Sequence, residues 1–289
     1  MKASVVVPTY NRPHRLRAAI ESIVTQSFKD YEVILVDDGS TISEQREQLK
    51  EIEDSYKKVK VIRQENSGPA AARNRGWREA KGDVVLFTDD DCLVPSDWVE
   101  KLQEGFEPGV AAVGGPFVPA ESHFKNSIFA KYHRWEAEDM YRPIEQSRRQ
   151  QEPLPHGITA NIAYRRSILE EFDGFDEGFP VAGGEDADLI RRVSEERHSF
   201  KYIPSPVSHN DPYSWETFIK RSYNRGKGLH HLHERHGPSR TSQRVLIGLL
   251  ASVFFLPKEI VHQRGLRMAG IAVLDRIVSR FGELSESLS

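Results

Sequence analysis

Cysteine is nearly missing: Cys92 is the single one in 289 residues. A lone thiol excludes an internal disulfide and a cysteine-rich zinc site, and it suits a reducing compartment. An excess of either charge is missing too. Forty Lys and Arg stand against 43 Asp and Glu, a net of −3, so the chain lacks the positive balance of a bulk nucleic-acid binder. Long apolar runs are missing: residues 245–256 (VLIGLLASVFFL) form a continuous one of 12, too short to span a bilayer as a helix. Behind the first four residues there is no apolar stretch of signal-peptide length. No internal repeat and no low-complexity tract is present. With 38% apolar and 29% charged residues, neither a mostly disordered chain nor a polytopic membrane protein fits. No Gly-x-Gly-x-x-Gly follows the first apolar segment, and no Gly-x-x-x-x-Gly-Lys-Ser/Thr occurs anywhere. Those absences argue against a dinucleotide Rossmann enzyme and a P-loop NTPase.

What is present reads as an α/β protein. Three short apolar runs, at residues 4–8, 33–36 and 84–87, and a further strand expected at 59–62 alternate with stretches of helical character at 15–25, 41–56 and 69–80. Strands alternating with helices imply βαβ units and a mostly parallel sheet. Further on, strands are expected at 110–113, 158–164 and 201–203, and helices at 124–142, 167–172, 186–196 and 215–226. Residues 145–152 read as a polar loop. The expected organisation is a nucleotide-binding half over 1–100, an acceptor-binding and catalytic half over 101–230, and a basic, apolar helical extension over 231–289. Residues 215–282 carry twelve Lys/Arg against four Asp/Glu, whereas the body before them is acidic. A basic tail suits an anionic partner or a membrane surface, and equally an ordinary solvated helix face.

The carboxyl ends of the strands are where an open parallel sheet binds ligands. Strand one ends in Pro8-Thr9-Tyr10-Asn11, strand two in Asp37-Asp38, strand four in Asp89-Asp90-Asp91. Each acidic group alone reads as a turn or a helix cap. Together they crowd like charges on one rim, which a divalent cation carrying a phosphorylated ligand would relieve. Hard ions such as Mn²⁺ or Mg²⁺ match such oxygen donors. Glu185-Asp186 opens a helix behind Gly183-Gly184. There acidic residues are favoured by the helix dipole alone.

The ordered series resembles a family-2 inverting glycosyltransferase of the GT-A fold. It comprises VVVPTYNR at 5–12, VDDGS at 36–40, GPAAARNRG at 68–76, FTDDD at 87–91, GFDE at 174–177 and GEDADL at 184–189. The resemblance covers residues 3 to 230. It implies inverting transfer of a sugar from a nucleotide-sugar donor, by the family's usual habit a UDP-sugar, to an acceptor hydroxyl. Carried over by position, Pro8, Thr9 and Tyr10 border the nucleotide, Asp38 meets the base, and Arg73 lines the nucleotide. Asp89, Asp90 and Asp91 match the family's Asp-x-Asp. Asp89 would face ribose and metal and Asp91 would ligate the metal, but three adjacent aspartates leave the assignment open. Asp186 matches the general base, and His209 lies where a histidine can reach the metal, or sits in a surface loop. The segment 156–163 resembles the acceptor side.

The expected partners are the nucleotide-sugar and a carbohydrate or lipid-linked acceptor in surface-glycoconjugate synthesis, with no nucleic acid. The extension suggests a cytoplasmic protein touching the inner face of a membrane, a homodimer contact, or a hairpin packed on the body. His230, His231, His233 and His236 form a cluster that reads as solvated more readily than as metal-binding. Trp135 and Trp215 could stack on sugars but read more readily as core. Two rival functions are a catalytically silent sugar-nucleotide-binding protein of the same fold and a nucleotidyltransferase. Retention of Asp38, Asp89, Asp91 and Asp186 speaks against the first. The lack of a Gly-rich basic loop after strand one speaks against the second.

Overall fold

A computed structural model describes residues 1–124, 127–146, 159–179, 183–237 and 266–287. The alternating apolar runs are strands: β1 (Ala3–Thr9), β2 (Tyr31–Asp37), β3 (Val59–Arg63) and β4 (Val84–Phe87). Helices α1 (Pro13–Val24), α2 (Ser43–Ser55) and α3 (Pro69–Glu79) connect them. Both α1 and α3 start on a proline, whose fixed φ is already helical and whose missing N–H is no loss in a first turn. There follow β5 (Cys92–Leu93), α4 (Trp98–Glu104), β6 (Val110–Gly114), β7 (Phe117–Pro119), α5 (Glu121–Phe124) and α6 (Ile128–Gln146). After them come β8 (Ile162–Arg165), α7 (Arg166–Glu171), α8 (Glu185–Glu195), β9 (Ser199–Tyr202), β10 (Val207–His209), α9 (Trp215–His236) and α10 (Leu266–Ser287).

The seven-stranded sheet has the order β3-β2-β1-β4-β8-β6-β9, in which β8 runs antiparallel to β4 and β6. Alternate residues of the same strands feed two cores. Val6, Ile34, Val36, Val85 and Phe87 enter one, and Val5, Val7, Val33, Leu35, Val84 and Leu86 enter the other. A sheet buried on both faces needs strands apolar at every position, hence the unbroken runs in the sequence. A second, three-stranded sheet has the order β5-β10-β7.

The chain divides into two compact units. One comprises Met1–Ala120, Ala137–Glu177 and Asp186–Asp211, and contains both sheets; the other comprises Glu121–Glu136, Gly178–Glu185 and Pro212–Ser289. The second unit has its own small core of Tyr132, Phe218, Ala269 and Ala272. Its buried Asp275 accepts from Ser222 Oγ and Arg225 Nη2, and from Tyr132 Oη at 3.1 Å.

Several expectations change at their edges. The helix expected at 124–142 is α6, Ile128–Gln146, which takes in the first two residues of the loop expected at 145–152. The strand expected at 158–164 begins as a 3₁₀ turn, Thr159–Asn161. There the buried Asn161 side chain accepts from Trp98 Nε1 at 2.8 Å and donates to the Pro116 and Ser205 carbonyls, each at 2.8 Å. The helix expected at 215–226 runs on to His236. Most of the polar loop expected at 145–152, and the whole apolar run 245–256, lie outside the described residues. Among the described residues no helix is long and apolar enough to cross a membrane.

Candidate active site

The rim at the carboxyl ends of β1, β2 and β4 holds Pro8, Thr9, Tyr10, Asp38 and the aspartates 89–91 in distinct environments, whereas Arg73, Asp186 and His209 stand on α3, α8 and β10. Pro8 lies in register with Val36 and is half-buried, Thr9 is buried, and the Tyr10 ring is exposed. Asn11 follows with φ 52, a left-handed conformation that asparagine tolerates, and its side-chain oxygen accepts from the Thr41 and Ile42 amides.

Asp37 closes its own turn, accepting from Ser40 N at 2.9 Å and pairing with Arg63 at 3.1 Å. Asp38 is buried and bonded through both oxygens. Oδ1 accepts from Gln64 Nε2 at 2.8 Å and Ser67 N at 2.9 Å, and Oδ2 accepts from Gly68 N at 2.9 Å. Its carboxylate therefore fastens the loop between β3 and α3 beside the rim.

The three aspartates after β4 are sorted by their partners. Asp89 is partly exposed and accepts from the buried Arg73 at 2.8 Å. Asp90 is buried and turns inward, accepting from Thr9 Oγ1 at 2.7 Å and Arg12 Nη1 at 3.2 Å. Burial pushes its carboxyl up to about 7, against the pull of Arg12. Thr9 is itself held by Gln45 Nε2 at 2.8 Å. Asp91 meets Arg12 Nη1 at 2.9 Å, Arg15 Nη1 at 3.7 Å and His209 Nε2 at 3.3 Å.

His209 reaches Asp91 because antiparallel pairing of β5 with β10 sets it opposite Cys92. Its ring rests on Phe117, with centroids 4.8 Å apart. Asp211, two residues on, pairs with Arg15. One ligand atom each of Asp91, His209 and Asp211 lies within 4.8 Å of the others, and the same holds for Asp89, Asp91 and Cys92. Asp91 is common to both groups. Burial raises the Cys92 thiol well above its ordinary range, with the neighbouring carboxylates adding to the effect. A protonated thiol is a poor ligand, so the useful donors are carboxylate oxygens and an imidazole nitrogen. Three such groups, from the segment after β4 and the segment at β10, fit a hard divalent cation.

Asp186 stands in the first turn of α8, where its Oδ1 accepts from Ala187 N at 2.8 Å. Burial, with a smaller push from the Asp186 charge, raises the Tyr164 hydroxyl on β8. Arg192 pins this helix: it pairs with the buried Asp188 at 2.7 Å and donates to the carbonyls of Phe172 at 2.7 Å and Gly174 at 2.6 Å.

Arg12, Arg15 and Asp211 escape the sequence reading. Arg12 closes the VVVPTYNR series, Arg15 opens the helix expected at 15–25 and Asp211 follows His209 in a loop, none with a role assigned. Only the fold shows that the N-cap and first turn of α1 aim two guanidinium groups at the acids. The Asn74 role is hidden in the same way: it bonds to the backbone of Phe175, 101 residues away.

Residues 4–173 match the profile described as "Glycosyl transferase family 2". A curated relative, the glucosyl-dolichyl phosphate glucuronosyltransferase of Haloferax volcanii, is 29% identical over 61% of this chain and 56% of its own. The pre-mycofactocin glycosyltransferase of Mycobacterium tuberculosis is 29% identical over 85% of this chain and 50% of its own. The chain thus spans about half the length of these two relatives. A mannosyltransferase from Pyrobaculum calidifontis, solved in complex with GDP-Man and Mn²⁺, superposes with a TM-score of 0.69 at 17% identity, covering 98% of this chain and 87% of that one. That likeness is one of fold, and it identifies the mostly parallel sheet flanked by helices as GT-A. With more than half of its length matching the family profile, the chain belongs to glycosyl transferase family 2.

Proposed function

We propose that the chain transfers a sugar from a nucleoside-diphosphate sugar to an acceptor hydroxyl with inversion, assisted by a divalent cation. The observation that carries this reading is the convergence of Asp91, His209 and Asp211 beside the ends of β1 and β4. In the proposal these three hold Mn²⁺ or Mg²⁺, with Asp89 beside them. When bound, the cation would neutralise charge developing on the departing diphosphate.

The chain's own residues do the rest. Pro8, Thr9 and Tyr10 border the nucleotide. Asp38 lines the base edge while its carboxylate holds the 64–68 loop in place. Arg73 sits against the nucleotide and fixes Asp89. Asp90, buried and bonded to Thr9 and Arg12, shapes the floor under Thr9. Asp186 takes the acceptor proton as general base, and a single displacement with such a base inverts the anomeric carbon.

The donor base is uracil on the family's usual pattern, with guanine as the second reading, because the superposing mannosyltransferase was solved with GDP-Man. The acceptor is a carbohydrate or lipid-linked carbohydrate in surface-glycoconjugate synthesis.

A melting-temperature screen of UDP-, GDP- and dTDP-sugars, each with Mn²⁺ or Mg²⁺, tests the donor, since ligand binding to the native state raises stability. No shift with any pair refutes the reading. Asp186→Asn, assayed with the selected donor, should cut transfer by about 10²–10⁴-fold, the usual worth of a general base, while donor binding persists. Turnover near the wild-type rate would remove Asp186 from the chemistry.

A further inference from the structure

We propose that α9 is the bed on which the turn ahead of Asp186 is set, and that Gly228 and His231 are positioning residues for the reaction. This deepens the proposed role of Asp186 and rests on it. Gly228 lies inside a 22-residue helix, where glycine is among the weakest helix formers. A Cβ at Gly228 would lie 1.8 Å from the Gly183 carbonyl oxygen and 2.6 Å from its carbonyl carbon. No side chain fits there, because the peptide of Gly183 already fills the space.

The fit is reciprocal. A Cβ at Gly184 would lie 2.7 Å from Phe179 Cε1 and 3.0 Å from the Gly228 oxygen. Gly183 and Gly184 have φ 147 and 104, in the region that residues with side chains avoid. Three residues along α9, His231 meets the Phe179 ring edge-on with centroids 4.6 Å apart. Glu185 is buried and accepts from Gly183 N at 2.8 Å, closing the turn. Bed and turn belong to the same compact unit. The next residue is Asp186, so a displacement of the Gly183 peptide is passed through Glu185 to the first turn of α8. Small errors in placing a base are costly, because proton transfer needs hydrogen-bond reach of the acceptor hydroxyl.

The test is Gly228→Ala in the full chain, with the donor chosen by the screen above and Mn²⁺. kcat should fall about tenfold or more, while donor KM and affinity for the nucleoside diphosphate with Mn²⁺ stay within about twofold. Hydrogen exchange of amides 183–190, read by mass spectrometry, should rise. Gly226→Ala is the control, because a Cβ there would meet the Ser279 carbonyl oxygen of α10 at 1.7 Å. It should lower the melting temperature without raising exchange at 183–190. His231→Ala, a smaller lesion that keeps the helix intact, should lower kcat alone by about twofold or more; it carries the test if the alanine at 228 prevents folding. Unchanged kcat and exchange in a folded Gly228→Ala or His231→Ala protein would overturn the inference, as would equal kcat losses in Gly226→Ala. A wild-type chain that turns over no nucleotide-sugar would instead overturn the reading of Asp186 itself, and the positioning role with it.

Discussion

Replacing Asn74 should remove a large part of the stability of the sheet-bearing unit, although Asn74 touches none of the proposed metal ligands. Its side chain makes four hydrogen bonds. Nδ2 donates to the Phe175 carbonyl at 2.7 Å and to Glu177 Oε1 at 2.8 Å, and Oδ1 accepts from Phe175 N and Trp77 Nε1, both at 2.9 Å. Asn74→Ala strands three buried groups: the indole N–H and both backbone groups of Phe175. Glu177 is half-exposed and can turn to water. At ~1–3 kcal/mol per stranded group the cost is about 3–9 kcal/mol, the lower end applying if one water enters the space left by the amide. Against a total of ~5–15 kcal/mol that is a large fraction. A loss of about 3 kcal/mol would lower the melting temperature by ~6–12 °C. Urea titration gives the free energy directly. A change under about 1 kcal/mol with unaltered slope would refute the reasoning. Asn74→Asp sharpens the test. The introduced carboxylate keeps both acceptor bonds but cannot donate to the Phe175 carbonyl, and it faces Glu177. Burial would raise its pKa, so the variant should gain stability relative to wild type as the pH falls and the acid recovers a donor.

Two further outcomes follow from the site and from the helical unit. Asp91→Asn and His209→Gln should each weaken Mn²⁺ binding without donor by about tenfold or more, read from the free-ion electron paramagnetic resonance signal; equal binding in both would remove the metal assignment. Burial raises the Glu136 carboxyl, but its bond to His133 and the Arg225 charge outweigh this and leave it below the ordinary range. Its stabilising effect is therefore present above the ordinary glutamate pKa and lost as the pH falls through the depressed value. The stability gap between wild type and Glu136→Gln should close on that acid limb, and a gap independent of pH would refute it.

Much of the fold is legible because its signal is local. Strands buried on two faces are apolar at every position, and proline marks the starts of α1 and α3. Legibility fails where a contact far along the chain decides. Glycine at 226 reads as a helix end, yet α9 continues because the backbone of another helix lies against that position. His209 is recognisable as a residue type, but its place beside Asp91 depends on the pairing of β5 with β10. The segment Arg73-Asn74 reads as one nucleotide-lining motif, but its two side chains point to different tasks. Arg73 holds Asp89, whereas Asn74 holds Phe175 of the Gly174-Phe175-Asp176-Glu177 series. A Cβ on Gly174 would meet Asn74 Oδ1 at 2.4 Å and Trp77 Nε1 at 2.3 Å, so the two motifs fit only as a pair.

The acidic rim shows how one cleft can tolerate so much like charge. Buried carboxylates are costly unless each has donors, and here the donors divide the acids into two sets. Asp37 and Asp38 are occupied by turn amides and by Arg63 and Gln64, and Asp90 by Thr9 and Arg12, so these three belong to the scaffold of the loops. Arg15 bridges Asp91 and Asp211, while Arg12 bridges Asp90 and Asp91. Arg12 and Arg15 are thus shared among Asp90, Asp91 and Asp211, and His209 stands against Asp91 as well. A divalent cation at Asp91, His209 and Asp211, as proposed, would take over the carboxylates that Arg12 and Arg15 now hold and would free both arginines to meet the phosphates of a donor. On this reasoning the middle aspartate of the Asp89-Asp90-Asp91 run would be structural and the last the proposed metal ligand, the role that the resemblance implies for Asp91.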